Sequence, residues 1–218
     1  MYTGVFKGEK AEKQKVRVLI LGESHHYETE STKKTVDGYL EKCKKEGHGE
    51  KCHDFFDQIV RSFGKDPKTE RDEFWNSVWF GNYIDKICGV GDLQAVKLLS
   101  NPADRRTYND DLFKFVNDNQ IDIMFCFSRR VYKSLPSLAK HTGEYEKIVK
   151  RDIFLRKKDG TPKKDYISHC VYLPGLSHKH TNMCLHKSFK VYGMLHPSGR
   201  YGFDPENYSE KLKELIDI

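Results

Sequence analysis

No stretch of this 218-residue chain approaches the roughly 18 consecutive apolar residues that a membrane-spanning helix requires. The segment from Met1 to Lys15 is charged and has no apolar h-region, so no secretion signal is read there and a cytoplasmic protein is expected. The six cysteines, at positions 43, 52, 88, 126, 170 and 184, include no C-x-x-C pair. Scattered spacing of this kind fits reduced thiols and argues against a disulfide framework or an iron–sulfur cluster. Internal repeats, low-complexity tracts and a flexible linker are also lacking, and a chain of this length fills one domain. Intrinsic disorder is excluded by composition, because 37% hydrophobic and 12% aromatic residues supply ample core formers.

Charge is present in excess and is unevenly placed. Between Pro136 and Lys187 there are eleven Lys/Arg against five acids, which carries the whole formal +6, while the remainder is balanced. The same segment holds five of the ten histidines, at 141, 169, 178, 180 and 186, interleaved with Tyr145, Phe154, Tyr166 and Tyr172. Basic and aromatic residues alternating in this way suit a polyanion, with phosphates neutralised by Lys/Arg and bases offered a stacking face. A solvated basic hairpin with no ligand is the plain alternative.

Apolar, β-branched runs predict four strands: 16–22 (VRVLILG), 77–83 (SVWFGNY), 121–127 (IDIMFCF) and 189–195 (FKVYGML). Helical spacing is read at 36–45, 53–63, 104–117, 129–135 and 207–216. Strands alternating with helices predict an α/β fold, a three-layer α/β/α sandwich around a four-stranded, mostly parallel sheet. Residues 1–15 are expected to form a loose arm and 16–218 one domain. The basic segment, about 136–187, is read as an insertion whose hairpin turns at Asp159-Gly160.

In an open parallel sheet, ligands bind at the carboxyl ends of the strands. Gly22-Glu23-Ser24-His25-His26-Tyr27 follows the first predicted strand, His196-Pro197-Ser198-Gly199-Arg200-Tyr201 follows the last, and Asn82 ends the second. This pattern resembles the uracil-DNA glycosylase superfamily, whose members carry a Gly-led motif after the first strand and a His-Pro-Ser motif after the last. One branch reads Gly-Gln-Asp-Pro-Tyr and others Gly-Glu-Ala-Pro-Gly; Glu23 matches the Glu, Ser24 stands where the first branch has Asp, and His25 replaces the proline. Asn82 matches the Asn that reads the uracil edge, and Arg200 resembles a basic residue found shortly after the second motif. The resemblance covers roughly 16–135 and 188–218 and leaves out the basic segment.

The resemblance implies hydrolysis of an N-glycosidic bond to a damaged or deaminated base such as uracil, and hence DNA repair. Breaking that bond builds negative charge on the base and positive charge on the sugar. His196 would donate to the base oxygen, while Glu23, or a water site at Ser24 and His25, would activate water. Asn82 can donate and accept at once and so read an imide edge. Gly22 belongs to the same pocket, with Tyr27 or Phe80 stacking on the extruded base. Ser198, Arg200 and Tyr201 would meet the strand and fill the gap left by the base, and Lys157, Lys158, Lys163 and Lys164 would track phosphate. DNA is the expected partner, with no cofactor, no metal and a monomeric state.

Each residue has a plainer reading. Glu23 could bond N–H groups at a helix start, His196 could be a satisfied buried histidine, and Asn82 a turn former. Ser24 in the Asp position supports a second function, a protein of this fold that binds nucleic acid or a modified base without catalysis. Cys43, His48, Cys52 and His53 form C-x4-H-x3-C-H, a spacing unlike a standard zinc finger, with free thiols in a helix connection as the alternative to structural zinc. A third possibility is a metal-dependent hydrolase built on the histidines.

Overall fold

The computed structural model describes residues 5–25, 31–46, 54–88, 92–138, 151–156, 162–197 and 203–215, the strand residues 151–156 and 162–166 by their backbone. Four parallel strands form the centre of the sheet: β2 (Val18–His25), β3 (Trp79–Ile87), β4 (Ile123–Cys126) and β9 (Phe189–Gly193). All four were expected, but the sheet around them is larger than four strands and mixed. Its order is β1-β3-β2-β4-β9-β7-β6, with β1 (Phe6–Lys7), β7 (Pro162–Tyr172) and β6 (Arg151–Arg156) antiparallel to their neighbours.

The basic segment forms an antiparallel β6–β7 pair where a hairpin is expected, and it is not separate from the sheet, because β7 pairs with β9 from Ser168↔Gly193 to Tyr172↔Phe189 and carries β6 as the sheet's edge. The expected turn at Asp159-Gly160 lies outside the described residues. Nor is the described part of 1–15 a loose arm: Phe6 pairs with Phe80, and Ala11, in the short 3-10 turn Ala11–Lys13, is fully buried. A two-stranded ribbon of β5 (Ser137–Leu138) and β8 (His178–Lys179) stands apart from the main sheet.

Period-2 alternation sends successive strand residues to opposite faces. One cross-strand row, Phe6, Phe80, Ile20, Phe125, Tyr192 and His169, faces α1 (Thr32–Glu46), α2 (Asp54–Ser62), α3 (Arg71–Asn76) and α7 (Pro205–Leu215). In this row the His169, Tyr192 and Phe125 rings stack across three strands. The adjacent row, Trp79, Leu19, Met124, Val191 and Cys170, faces α4 (Asp92–Ser100), α5 (Pro102–Asn119) and α6 (Arg129–Ser134). Helices therefore cover both faces of an α/β sheet.

Helix ends follow local chemistry. Asn101 accepts from the N–H groups of Ala103 and Asp104 ahead of Pro102, and Gln120 closes α5 in the left-handed region at φ 54°. Tyr108, Leu112, Phe113 and Val116 then give α5 its buried stripe. In α2 the run Phe55, Phe56, Ile59, Val60 packs on the sheet, with Phe56 against Trp75, Tyr39 and Phe80. No helix among the described residues is long and apolar enough to cross a membrane.

Candidate functional site

The chain runs from β2 outward to β3 and then crosses back to β4 on the other flank of β2. The connections after β2 and β4 also leave for opposite faces, to α1 and to α6 respectively. The carboxyl ends of β2 and β4 thus meet at a topological switch point, where open α/β sheets form a crevice. The polar residues gathered there and at the neighbouring strand ends define the candidate site.

Glu23, Ser24 and His25 are the last residues of β2 and not a loop, because β3 continues beside them through Ser24↔Ile84 and His25↔Ile87, with a register shift between the two pairs. Asn82 likewise lies within β3, paired with Gly22, and does not end it. All four side chains are buried. A buried polar group without a partner is costly, so the partners decide what each can do.

Glu23 crosses the switch point. Its Oε2 accepts from Ser128 Oγ at 2.6 Å and from Arg130 Nε at 3.4 Å, and Oε1 pairs with Arg130 Nη2 at 2.8 Å. Ser128 is also the N-cap of α6, accepting from the Val131 N–H at 3.3 Å. The carboxylate is therefore locked at the start of a helix and bidentate to arginine, the role of its plainer reading, though at α6 and not at the helix that follows β2. Ser128 and Arg130 were not singled out from sequence. Their signal was positional: they follow the third predicted strand as Glu23 follows the first.

His25 lies in a second polar group. Asn82 Nδ2 is 3.3 Å from His25 Nδ1, while His25 Nε2 faces Asp85 Oδ1 at 3.6 Å and Thr32 Oγ1 at 3.4 Å. Asn82 Nδ2 also stands 3.5 Å from His25 Nε2, and the nearer approach to Nδ1 suits a ring that accepts there and turns Nε2 toward Asp85. Asp85 and Thr32 were also missed by the sequence reading; an acidic residue three positions after Asn82 was the available cue. The Asn82 carbonyl lies over Gly22, where an added Cβ would stand 2.4 Å from Oδ1. Ser24 Oγ is buried beside the Cys88 thiol. Burial raises the pKa of the nearby Cys88 thiol, with the Ser24 hydroxyl acting in the opposite direction.

Phe80 belongs to the core. Its ring meets Phe55, Phe56 and Trp75, so protein rings occupy its surface and no face is open for stacking on a base. Phe55 links this cluster to the second motif, since its ring centroid lies 6.3 Å from Phe80 and 5.2 Å from the half-buried His196. The two motifs thus share one end of the sheet, bridged by α2. Tyr27, Ser198, Arg200, Tyr201, Lys157 and Lys158 lie outside the described residues, as do the side chains of Lys163 and Lys164 on β7. Cys43 is buried in α1 with its thiol raised chiefly by burial; His48, Cys52 and His53 lie outside the described residues.

A cleft of about 570 Å³ opens at the opposite end of the sheet, over Val16, Val18 and Val78. A Lys65–Glu70 ion pair of 2.8 Å stands at its rim, and no motif residue lines it. No family model matches the chain, and no curated protein matches it.

Proposed function

We propose that the carboxyl end of the sheet is a base pocket at which an N-glycosidic bond in a nucleic acid is hydrolysed. The observation that carries this reading is the convergence of Asn82, His25 and Asp85 in one polar group, with His196 on the same rim. Glu23 is assigned to holding the site together, because both its oxygens are engaged by Ser128 and Arg130. The water-activating role passes to His25. When the Asn82 amide turns from His25 to a base edge, Nδ1 is free to take a proton from water, with the Asp85 carboxylate facing Nε2. Substrate recognition and base activation are then one movement. His196 supplies the donor for charge developing on the departing base.

The test is a single-turnover assay on single- and double-stranded oligonucleotides containing uracil, hypoxanthine or xanthine, with alkaline cleavage at abasic sites. His25→Ala and His196→Ala are each expected to slow product formation by a factor on the order of 100 or more. Wild-type rates in both variants refute these roles. The locked Glu23 also favours a second reading, a base or nucleic-acid binder without catalysis. That reading predicts salt-sensitive binding and no abasic product with the wild-type protein.

A further inference from the structure

A second cluster lies at the same end of the sheet, on the α5 side. The amino-terminal half of α5 reaches the carboxyl half of β3: the Tyr83 and Tyr108 rings are 5.6 Å apart, and Tyr83 Oη donates to Asn109 Oδ1 at 2.7 Å. At its other end α5 meets the start of β2, where Arg17 Nη1 donates to the Asn119 carbonyl at 3.0 Å. Arg105 and Arg106 therefore stand at the site's end of the sheet.

The strand β8 and the turn after it are fastened over these arginines. Asn109 Nδ2 donates to the His180 carbonyl at 2.9 Å, and Asp110 accepts from Thr181 Oγ1, the Asn182 N–H and Asn182 Nδ2. His180 is held in the left-handed region at φ 61°, which a residue with a Cβ rarely adopts. Its Nε2 faces the Arg105 guanidinium, an interaction that requires the neutral ring as acceptor. Partial burial, then Arg105, Arg106 and Lys179, hold the imidazole below its ordinary value. Among the described residues no carboxylate pairs with Arg105, Arg106 or Lys179, and Arg105 Nε is buried without a partner. Arg105 thus meets a neutral histidine on a turn fixed from below, Arg106 follows it on α5 and Lys179 precedes the histidine on β8, an arrangement of three cations that an anion would complete.

We infer that Arg105, Arg106, Lys179 and His180 form a phosphate-binding site that grips the backbone of a nucleic-acid strand whose base enters the pocket beside β3. The choice of a strand rests on the reading given under Proposed function; the phosphate chemistry rests on the cluster. Arg106 and Lys179 are exposed and free of intramolecular pairs among the described residues, so they can be changed without disturbing the fold.

The test uses a fluorescein-labelled oligothymidylate, which offers no base for excision, titrated with the full chain between about 50 and 200 mM salt, values chosen to span the usual range over which phosphate binding weakens. The Arg106→Gln/Lys179→Gln variant is expected to bind at least about tenfold more weakly, and its log–log salt slope to fall by about 1.4, which is roughly 0.7 for each phosphate that the variant no longer neutralises. Its thermal midpoint should match wild type. Unchanged affinity and slope in the double variant overturn the site. Inorganic phosphate raising the thermal midpoint of a protein that fails to bind the strand overturns the strand as ligand. Weakened binding without abasic product on any substrate leaves the phosphate site standing and removes the glycosylase; product with unchanged binding does the reverse.

Discussion

Gly22 carries a hydrogen where any other residue would place a carbon 2.4 Å from Asn82 Oδ1, and its backbone has no positive φ that would call for glycine on other grounds. The requirement is therefore set by a side chain and not by the strand. Alanine at this position is expected to swing the Asn82 amide away while the surrounding packing holds, since the obstructing atom is the tip of one polar side chain. Gly22→Ala should accordingly remain within about 1 kcal/mol of wild type in urea unfolding, below the usual range for overpacking a rigid core. It should lose abasic-site formation as fully as Asn82→Ala. A large stability loss with activity retained would show that Gly22 serves packing alone. At this scale Gly22, Asn82, His25 and His196 are visible in the sequence as residues at or just after the ends of predicted strands, yet the partnership of His25 with Asp85 and Thr32 is not. Those interactions join residues 60 and 7 positions apart through pairing that no local pattern encodes.

The elements were more legible than their edges. All four central strands announce themselves through apolar runs, but the run in β2 stops at Gly22, and Glu-Ser-His has the composition of a loop. It continues because β3 pairs alongside and α6 presents Ser128 and Arg130 to the carboxylate. Glu23 therefore ties a strand to a helix, and the tie should be measurable. Removing Arg130 leaves a buried carboxylate with Ser128 as its remaining side-chain partner among the described residues; removing Glu23 leaves an arginine whose side chain is 40% exposed and can reach water. Arg130→Ala is thus expected to cost on the order of 2 kcal/mol, discounted from fully buried pairs for that exposure, and Glu23→Ala roughly half as much. A double-mutant cycle by chemical denaturation should give a coupling of about 1 kcal/mol or more. Zero coupling would mean that the pair holds nothing together and would return Glu23 to consideration as a catalytic base.

Across the whole molecule, the sequence displayed the basic segment and its histidines but not their attachment, because β7–β9 pairing and the clamps from α5 span long separations along the chain. Attachment changes what those histidines do. His178, on β8, is buried against the rings of Tyr172 and Phe113, 5.1 and 5.7 Å away, and neither ring nitrogen has a side-chain hydrogen-bond partner among the described residues. Burial lowers its pKa below the ordinary 6.5, with the Leu176 backbone acting weakly the other way. The unfolded chain therefore takes up a proton on His178 at a higher pH than the folded chain does. Its contribution to stability is present in full above about 6.5 and is lost as the pH falls toward the depressed folded value. His180, lowered by burial and by its cationic neighbours, acts in the same direction. Urea midpoints should therefore decline as the pH is brought from about 7.5 to about 5, values that bracket the ordinary histidine range and lie above that of most carboxylates. His178→Phe, which keeps a ring against Tyr172 and Phe113 without a titrating nitrogen, should flatten much of that decline. An equally steep decline in the variant would place the acid sensitivity elsewhere, and the bound phosphate inferred beside His180 would be the next quantity to vary. An anion there favours the protonated imidazole and should restore stability at about pH 6 in the His178→Phe background.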